Sequence, residues 1–262
     1  MTIETTAGRT ASSRSLTRVW LPVIGPFAFL GAWFVMSSSS KVASSVVPPP
    51  HVVLAALAAQ LRTGALIDHL VSSLGRSALG YAFAAGIGIP LGLLMGTIPA
   101  VRRLLNTLVE LIRPVSSIAW IPLAILWFGI GLKSVVFVIF IVCIFIILLN
   151  TVGAAMEVQP DLIKAARTLG ARRQMIFRKV IFPSALPGIL LGLRVTLSAA
   201  WGGVIVAEMI ASQKGIGYLI HHSQITFQPE LVIGGMFVIG VIGYLLNRAF
   251  LIVERRLTHS HA

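Results

Sequence analysis

Cysteine and carboxylates are both scarce in this chain. The one cysteine, Cys143, sits inside an apolar run, so neither a disulfide framework nor a thiolate zinc site can be built from it. Only 8 Asp and Glu stand against 21 Lys and Arg, and charged residues make up 11% of 262 positions. With 56% hydrophobic residues and a mean hydropathy of +0.93, that scarcity excludes a soluble domain, whose interior could not hide so much apolar surface. Lipid must solvate part of the chain. No metal set is visible either: His221 and His222 are adjacent, which is not the same-face spacing of a helical pair and reads as a surface loop, and His259 and His261 read as a solvated tail. The net charge of +13 comes without a basic stripe interleaved with aromatics, so no nucleic-acid surface is expected.

Long apolar runs separated by basic turns fill the rest. Arg9, Arg14 and Arg18 precede an apolar run over residues 19–36, which suits an uncleaved first span better than a secretory signal because further spans follow. Residues 37–65 form an external segment, with Pro48-Pro49-Pro50 as a stop and a surface helix over 52–61. The second span, 70–98, carries Gly88, Gly92 and Gly96 at four-residue spacing, a close-packing face for another helix. The third, 104–130, is interrupted by Pro114 and Pro122; at ~1.5 Å per residue it exceeds a ~30 Å hydrocarbon core and must tilt, kink or protrude. Lys133 is a short external turn, the fourth span is 135–156, the fifth 185–211, and the sixth 231–253 after an external segment over 212–230.

The expected fold class is an all-α polytopic membrane protein with six transmembrane helices and both termini cytoplasmic. Fourteen Lys and Arg fall on the proposed cytoplasmic side, four outside (Lys41, Arg62, Lys133, Lys214) and three within spans (Arg76, Arg113, Arg194), as basic residues favour the cytoplasm. A tail over 1–18, a membrane domain over 19–256 and a tail over 257–262 complete the organisation, with no second soluble domain.

Residues 159–187 are polar and basic where both neighbours are apolar. Pro160 suits a first helical turn and Asp161 the positive helix end, while Leu162, Ala165, Ala166 and Leu169 recur at helical spacing until Gly170 turns the chain. A second short basic helix over 171–181 follows, and Pro183 and Pro187 mark the return to apolar sequence. Taken alone, Arg172, Arg173, Arg178 and Lys179 would also suit a loop held at anionic lipid headgroups.

The spacing Lys164-Ala165-Ala166, then Gly170, then Val180 and Phe182-Pro183 resembles the cytoplasmic "EAA" loop of binding-protein-dependent ABC importer permeases, with Lys for the usual Glu and Phe for the usual Leu. Ser73-Leu74-Gly75-Arg76, Arg113-Pro114-Val115, Ala119-Trp120-Ile121-Pro122-Leu123, Trp127-Phe128-Gly129-Ile130-Gly131, Gly192-Leu193-Arg194, Val206-Ala207-Glu208 and Gly215-Ile216-Gly217-Tyr218 are similar to the nitrate, sulfonate, taurine and bicarbonate branch of that family, as is the Pro48-Pro49-Pro50 stop. This resemblance implies a type I importer permease fold, a second copy of the chain, two ATP-binding-cassette ATPase subunits and an external solute-binding protein, in a bacterial cytoplasmic (inner) membrane. It implies that Asp161, Lys164, Ala165, Ala166, Arg167, Leu169 and Gly170 couple the spans to the ATPase. ATP and Mg would belong to that partner, since the nearest P-loop-like run, Gly131-Leu132-Lys133-Ser134, lacks the Gly before Lys and lies on the wrong side.

Arg113 and Arg194 lie eleven residues past Arg102 and Pro183, so at ~1.5 Å per residue both sit ~16 Å in from the same face. They suit either an electropositive path for a small anion or a structural role at helix breaks. Glu110, three residues before Arg113, is expected to pair with it, leaving Arg194 unpartnered. Trp120, Trp201 and Glu208 are further pathway candidates. A secondary transporter or channel would share the hydropathy without needing the docking loop. A membrane-embedded enzyme would need an intramembrane nucleophile and base, which His51, His69, His221 and His222, all external or at a span boundary, do not supply.

Overall fold

The computed structural model describes residues 47–258 together with residues 25, 28 and 31–37 of a preceding helix. Most of the expected first span, 19–36, therefore lies outside the described residues. The described helices are α1 (Pro50–Arg62), α2 (Ala65–Thr97), α3 (Pro99–Ile112), a 3-10 turn (Ser117–Trp120), α4 (Ile121–Phe128), α5 (Leu132–Met156), α6 (Pro160–Thr168), α7 (Arg173–Ile176), a π turn (Phe177–Ile181), α8 (Phe182–Ala211), α9 (Ile216–Ile225) and α10 (Pro229–Thr258). No strand occurs among the described residues. Proline occupies the first turn of α1, α3, α4 and α6, where its missing N–H would have had no intrahelical partner.

Helices α2, α5, α8 and α10 are each long and apolar enough to cross a membrane, and α3 with α4 qualifies as a broken pair. The core is built where α2, α5 and α8 meet, around Ala84, Ile139, Ile147, Ala200 and Val204. In lipid, helices gain little from burying apolar side chains against each other, so contact depends on backbones approaching closely. The glycine face of α2 supplies that approach. Gly88, Gly92 and Gly96 lie against Ile147, Thr151 and Ala155 of α5, and Gly80, two four-residue steps before Gly88, lies against Ile139.

Three expected elements are drawn differently. The third span is not one kinked helix: α3 and the Ser117–Phe128 segment meet at 86°. Pro114 withholds the N–H that would pair with the Glu110 carbonyl, and Ser116 then adopts an extended conformation (ψ 135°) that turns the chain. The fifth span does not restart after a separate basic helix, because α7, the π turn and α8 run on as one helix from Arg173 to Ala211. The carbonyl that Pro183 leaves unpaired, that of Lys179, falls inside the π turn, whose wider ring accommodates the loss. The external segment 212–230 is no surface loop: it contains α9, whose Ile216, Leu219, Ile220 and Ser223 are buried between α8 and α10. His222 stacks on Tyr218 at 5.5 Å, and His221 is half-buried.

A side chain on the α2 seam should be felt at once. A Cβ at Gly92 would stand 2.6 Å from the Thr151 Cβ and 2.9 Å from the Leu148 carbonyl oxygen, whereas at Gly86 it would meet nothing within 4 Å. Gly92→Val is expected to cost about 1–3 kcal/mol or more through overpacking, and Gly86→Ala to be neutral or to gain up to about 1 kcal/mol from helix propensity, both read as thermal unfolding in detergent.

Candidate functional site

The helix and turn over residues 160–171 form as their spacing implies. No residue of α6 is buried, and Leu169 is 87% exposed beyond its end. Gly170 adopts the left-handed conformation (φ +77°), and the Gly170 and Ala171 N–H groups close the helix onto the Arg167 and Ala166 carbonyls at 2.9 and 3.0 Å. Ile163 alone reaches inward, onto the cluster of Ala154, Ala155, Ala185 and Ile189 at the base of α5 and α8. Leu162, Ala165, Arg167 and Leu169 face outward, with Ala166 half-exposed beside them. Lys164 finds its partner within the helix, Nζ lying 3.0 Å from Asp161 Oδ1, and with side chains 74% and 88% exposed this pair adds little stability.

Along the α5 face that looks away from the core lie two adjoining cavities. One, of about 480 Å³, is bordered by Arg113, Pro114, Val115, Ser116 and Ser117 from the break after α3, and by α5 from Ile141 to Asn150. The other, of about 250 Å³, shares Ser117 and Val142 and extends past Ala199, Gly202, Gly203 and Val206 of α8. A wider groove between residues 32–36 and α10 is almost wholly apolar and suits lipid rather than a polar solute. Arg113 therefore borders open space. The expected Glu110–Arg113 pair is absent: Glu110 Oε1 instead accepts from Asn106 Nδ2 at 2.6 Å, one turn back on the same helix. Arg194, expected to be unpartnered, donates from Nε to Asn247 Oδ1 at 3.3 Å and lies 3.9 Å from Glu254 Oε2, tying α8 to α10.

The remaining pathway candidates face inward. Trp201 is 5% exposed and donates from Nε1 to the Ile239 carbonyl at 3.0 Å, so Gly202 and Gly203, not Trp201, meet the cavity. Trp120 packs edge-on against Phe137 in an aromatic group with Trp127 and Phe128. Glu208 is fully buried and belongs to a polar knot at the external end. Arg76 Nη1 lies 2.9 Å from Glu208 Oε1 and 2.7 Å from Ser212 Oγ, and Ser73 Oγ donates to Glu208 Oε2 at 2.7 Å.

The same knot caps α9. That helix has no side-chain cap of its own, and its first N–H groups go to distant residues: Gly215 N to His69 Nδ1 at 3.0 Å, Ile216 N to Ser73 Oγ at 2.9 Å and Gly217 N to Glu208 Oε2 at 3.1 Å. The carboxylate thus sits at the positive end of a helix dipole as well as against a guanidinium. Gly215 (φ +116°) is required twice, for its backbone conformation and because a Cβ would run into the Glu208 carboxylate. Sequence reasoning noted Arg76 and Glu208 separately and did not join them. The available signal was charge balance: an intramembrane arginine and an intramembrane glutamate toward the same membrane face call for each other.

The helical fold, the exposed α6 helix and the polar-lined break are those of a multi-pass membrane protein. Residues 88–259 match the family described as binding-protein-dependent transport system inner membrane component. The chain is 44% identical over 195 residues to a putative ABC transporter permease protein of Methanocaldococcus jannaschii, covering 74% of this chain and 73% of that one. It is 37% identical to the taurine transport system permease protein TauC of Escherichia coli, covering 75% and 71%. In fold it is similar to the MetNI methionine ABC transporter in inward-facing conformations, with a TM-score of 0.66 at 23% identity over 73% of this chain and 95% of that one. An amino acid ABC transporter structure gives 0.60 at 21% identity, covering 76% and 97%. The chain belongs to the binding-protein-dependent ABC importer permeases and is the membrane-spanning permease subunit of such an importer.

The knot makes a specific prediction. Glu208→Ala, which leaves the Arg76 guanidinium buried and unpaired, is expected to cost about 3–5 kcal/mol. In a thermal double-mutant cycle in detergent over Arg76→Met and Glu208→Ala, the double variant should lose clearly less than the sum of the two single losses while staying below wild type, because the Gly217 N–H and the Ser73 hydroxyl lose their acceptor; additive losses would contradict the pairing.

Proposed function

We propose that two copies of this chain form a pathway for a small oxyanion such as a sulfonate, taurine, nitrate or bicarbonate, seated in the bacterial cytoplasmic membrane on two ATP-binding-cassette ATPases. An external solute-binding protein delivers the solute, and ATP with Mg is bound by the ATPases. The observation that carries this reading is α6: a short helix with no buried residue, small Ala165 and Ala166 on its accessible side, and a left-handed glycine fixing its end. A loop that served only its own fold would bury its apolar residues, whereas here Leu162 and Leu169 are left for a partner.

The coupling follows from mechanics. When two ATPases close on ATP, the docked α6 helices are drawn together, and through Ile163 and the continuous α7–α8 helix the motion reaches the spans. ATP can shift the inward-open to outward-open equilibrium only by as much as the closed ATPase dimer prefers one state, so several kcal/mol of differential contact at α6 is required. The support for an anionic solute is twofold: a polar cavity bordered by Arg113, and relatives named as taurine, aliphatic sulfonate, bicarbonate and nitrate permeases at 31–37% identity.

The test places bulk where the partner is expected. Ala165→Trp, solvent-facing in the free chain, is expected to leave the membrane subunit folded and to weaken co-purification of the ATPase, lowering binding-protein-stimulated ATP hydrolysis about tenfold or more, the equivalent of about 1.4 kcal/mol of docking. Unchanged stimulated hydrolysis would contradict the docking role and favour a loop that merely rests at lipid headgroups.

A further inference from the structure

The break between α3 and α4 brings together polar groups that nothing in the fold consumes. Arg113 closes α3, Pro114 ends the helix ladder, and Ser116 and Ser117 carry the chain round the bend, all bordering the cavity of about 480 Å³ opposite Phe145 and Asn150. Residues 141–150 straddle the middle of α5, so at ~1.5 Å per residue the cavity lies about halfway across a ~30 Å hydrocarbon core. Of the arginines at Arg76, Arg113 and Arg194, the first and last each have an acidic partner, while the Arg113 guanidinium forms no ion pair or hydrogen bond with a described residue. A lone guanidinium at that depth is costly unless water or a counter-anion reaches it.

We propose that Arg113, Ser116, Ser117 and Asn150 form an anion subsite that holds the transported oxyanion midway along the path, an inference that rests on the importer reading above. The donor set fits a monovalent oxyanion. The guanidinium offers paired N–H groups in a fixed fork, the two serines offer hydroxyls, and Asn150 uses one N–H on the Ile146 carbonyl at 2.8 Å and keeps the other. No carboxylate borders the cavity, so nothing repels an anion, and Val142 and Phe145 offer apolar contact to an organic substituent. Ser117 and Val142 also line the second cavity, where a Cβ at Gly202 would meet nothing within 4 Å.

The experiment uses the assembled permease–ATPase complex in lipid nanodiscs without the binding protein, titrated calorimetrically with methanesulfonate, nitrate and, as a neutral isostere, methanesulfonamide. Wild type is expected to bind both anions and not the sulfonamide. Arg113→Gln should raise their Kd about tenfold or more, and Arg113→Lys should lose less because it keeps the charge but not the fork. Should Arg113→Gln fail to assemble, Asn150→Leu is expected to weaken anion binding several-fold. Absence of anion binding by wild type, equal affinity for methanesulfonamide, or undiminished affinity in Arg113→Gln or Asn150→Leu would overturn the subsite. ATP-driven uptake by the same wild-type complex, supplied with binding protein, is measured in parallel. Its absence would count against the importer reading, whereas uptake that persists without anion binding at Arg113 would count against the subsite alone.

Discussion

The buried pair of Arg76 and Glu208 is the interaction on which the external half of this permease depends. Lipid offers no hydrogen bonds, so every backbone group at membrane depth needs a partner inside the protein. The start of α9 is the hardest case, because a helix whose first turn is buried inside the protein presents N–H groups without intrahelical partners to an apolar interior. His69 and Ser73 of α2 and Glu208 of α8 accept those groups, and Arg76 neutralises the carboxylate while reaching Ser212. The consecutive ends of α8 and α9 are thereby joined at one point to α2, more than 130 residues away in sequence, and α9 becomes part of the core rather than a loop over it.

The cytoplasmic end is built on the opposite principle. There α6 exposes its apolar residues and is held by little more than Ile163 and a glycine turn. Between the two ends runs a single continuous helix from Arg173 to Ala211, which begins beside α6 and carries Glu208 near its external end. A rigid knot at one end, an adaptable contact at the other and one long helix between them suit a subunit that is moved as a lever. The π turn at the base of that helix, where Pro183 interrupts normal pairing, is the natural place for it to bend.

Much of this was legible in the residues. Hydropathy located the spans formed by α2, α5, α8 and α10, and four-residue glycine spacing on α2 identified a packing face whose partner proved to be α5. The α6 helix and its Gly170 turn followed from local chemistry alone, which is why they were placed correctly. What escaped depended on distance in sequence. The segment 212–230 is polar enough to read as a loop, and only the caps supplied by His69, Ser73 and Glu208 allow it to lie inside. Likewise, i,i+3 spacing assigned Glu110 to Arg113, yet Glu110 turned to Asn106, and Arg194 found Asn247 and Glu254 on a helix more than fifty residues away. Local rules place helices; they do not choose between partners that the tertiary packing brings near.

The most direct measurement is transport by the whole assembly: this chain, its ATPase and its solute-binding protein reconstituted in liposomes, with labelled taurine, nitrate and bicarbonate each offered outside. Accumulation of one of these anions that requires hydrolysable ATP on the ATPase side is the expected result. Equal movement of the anion with the ATPase omitted, or with a non-hydrolysable nucleotide in place of ATP, would contradict it and leave a channel or secondary transporter in its place.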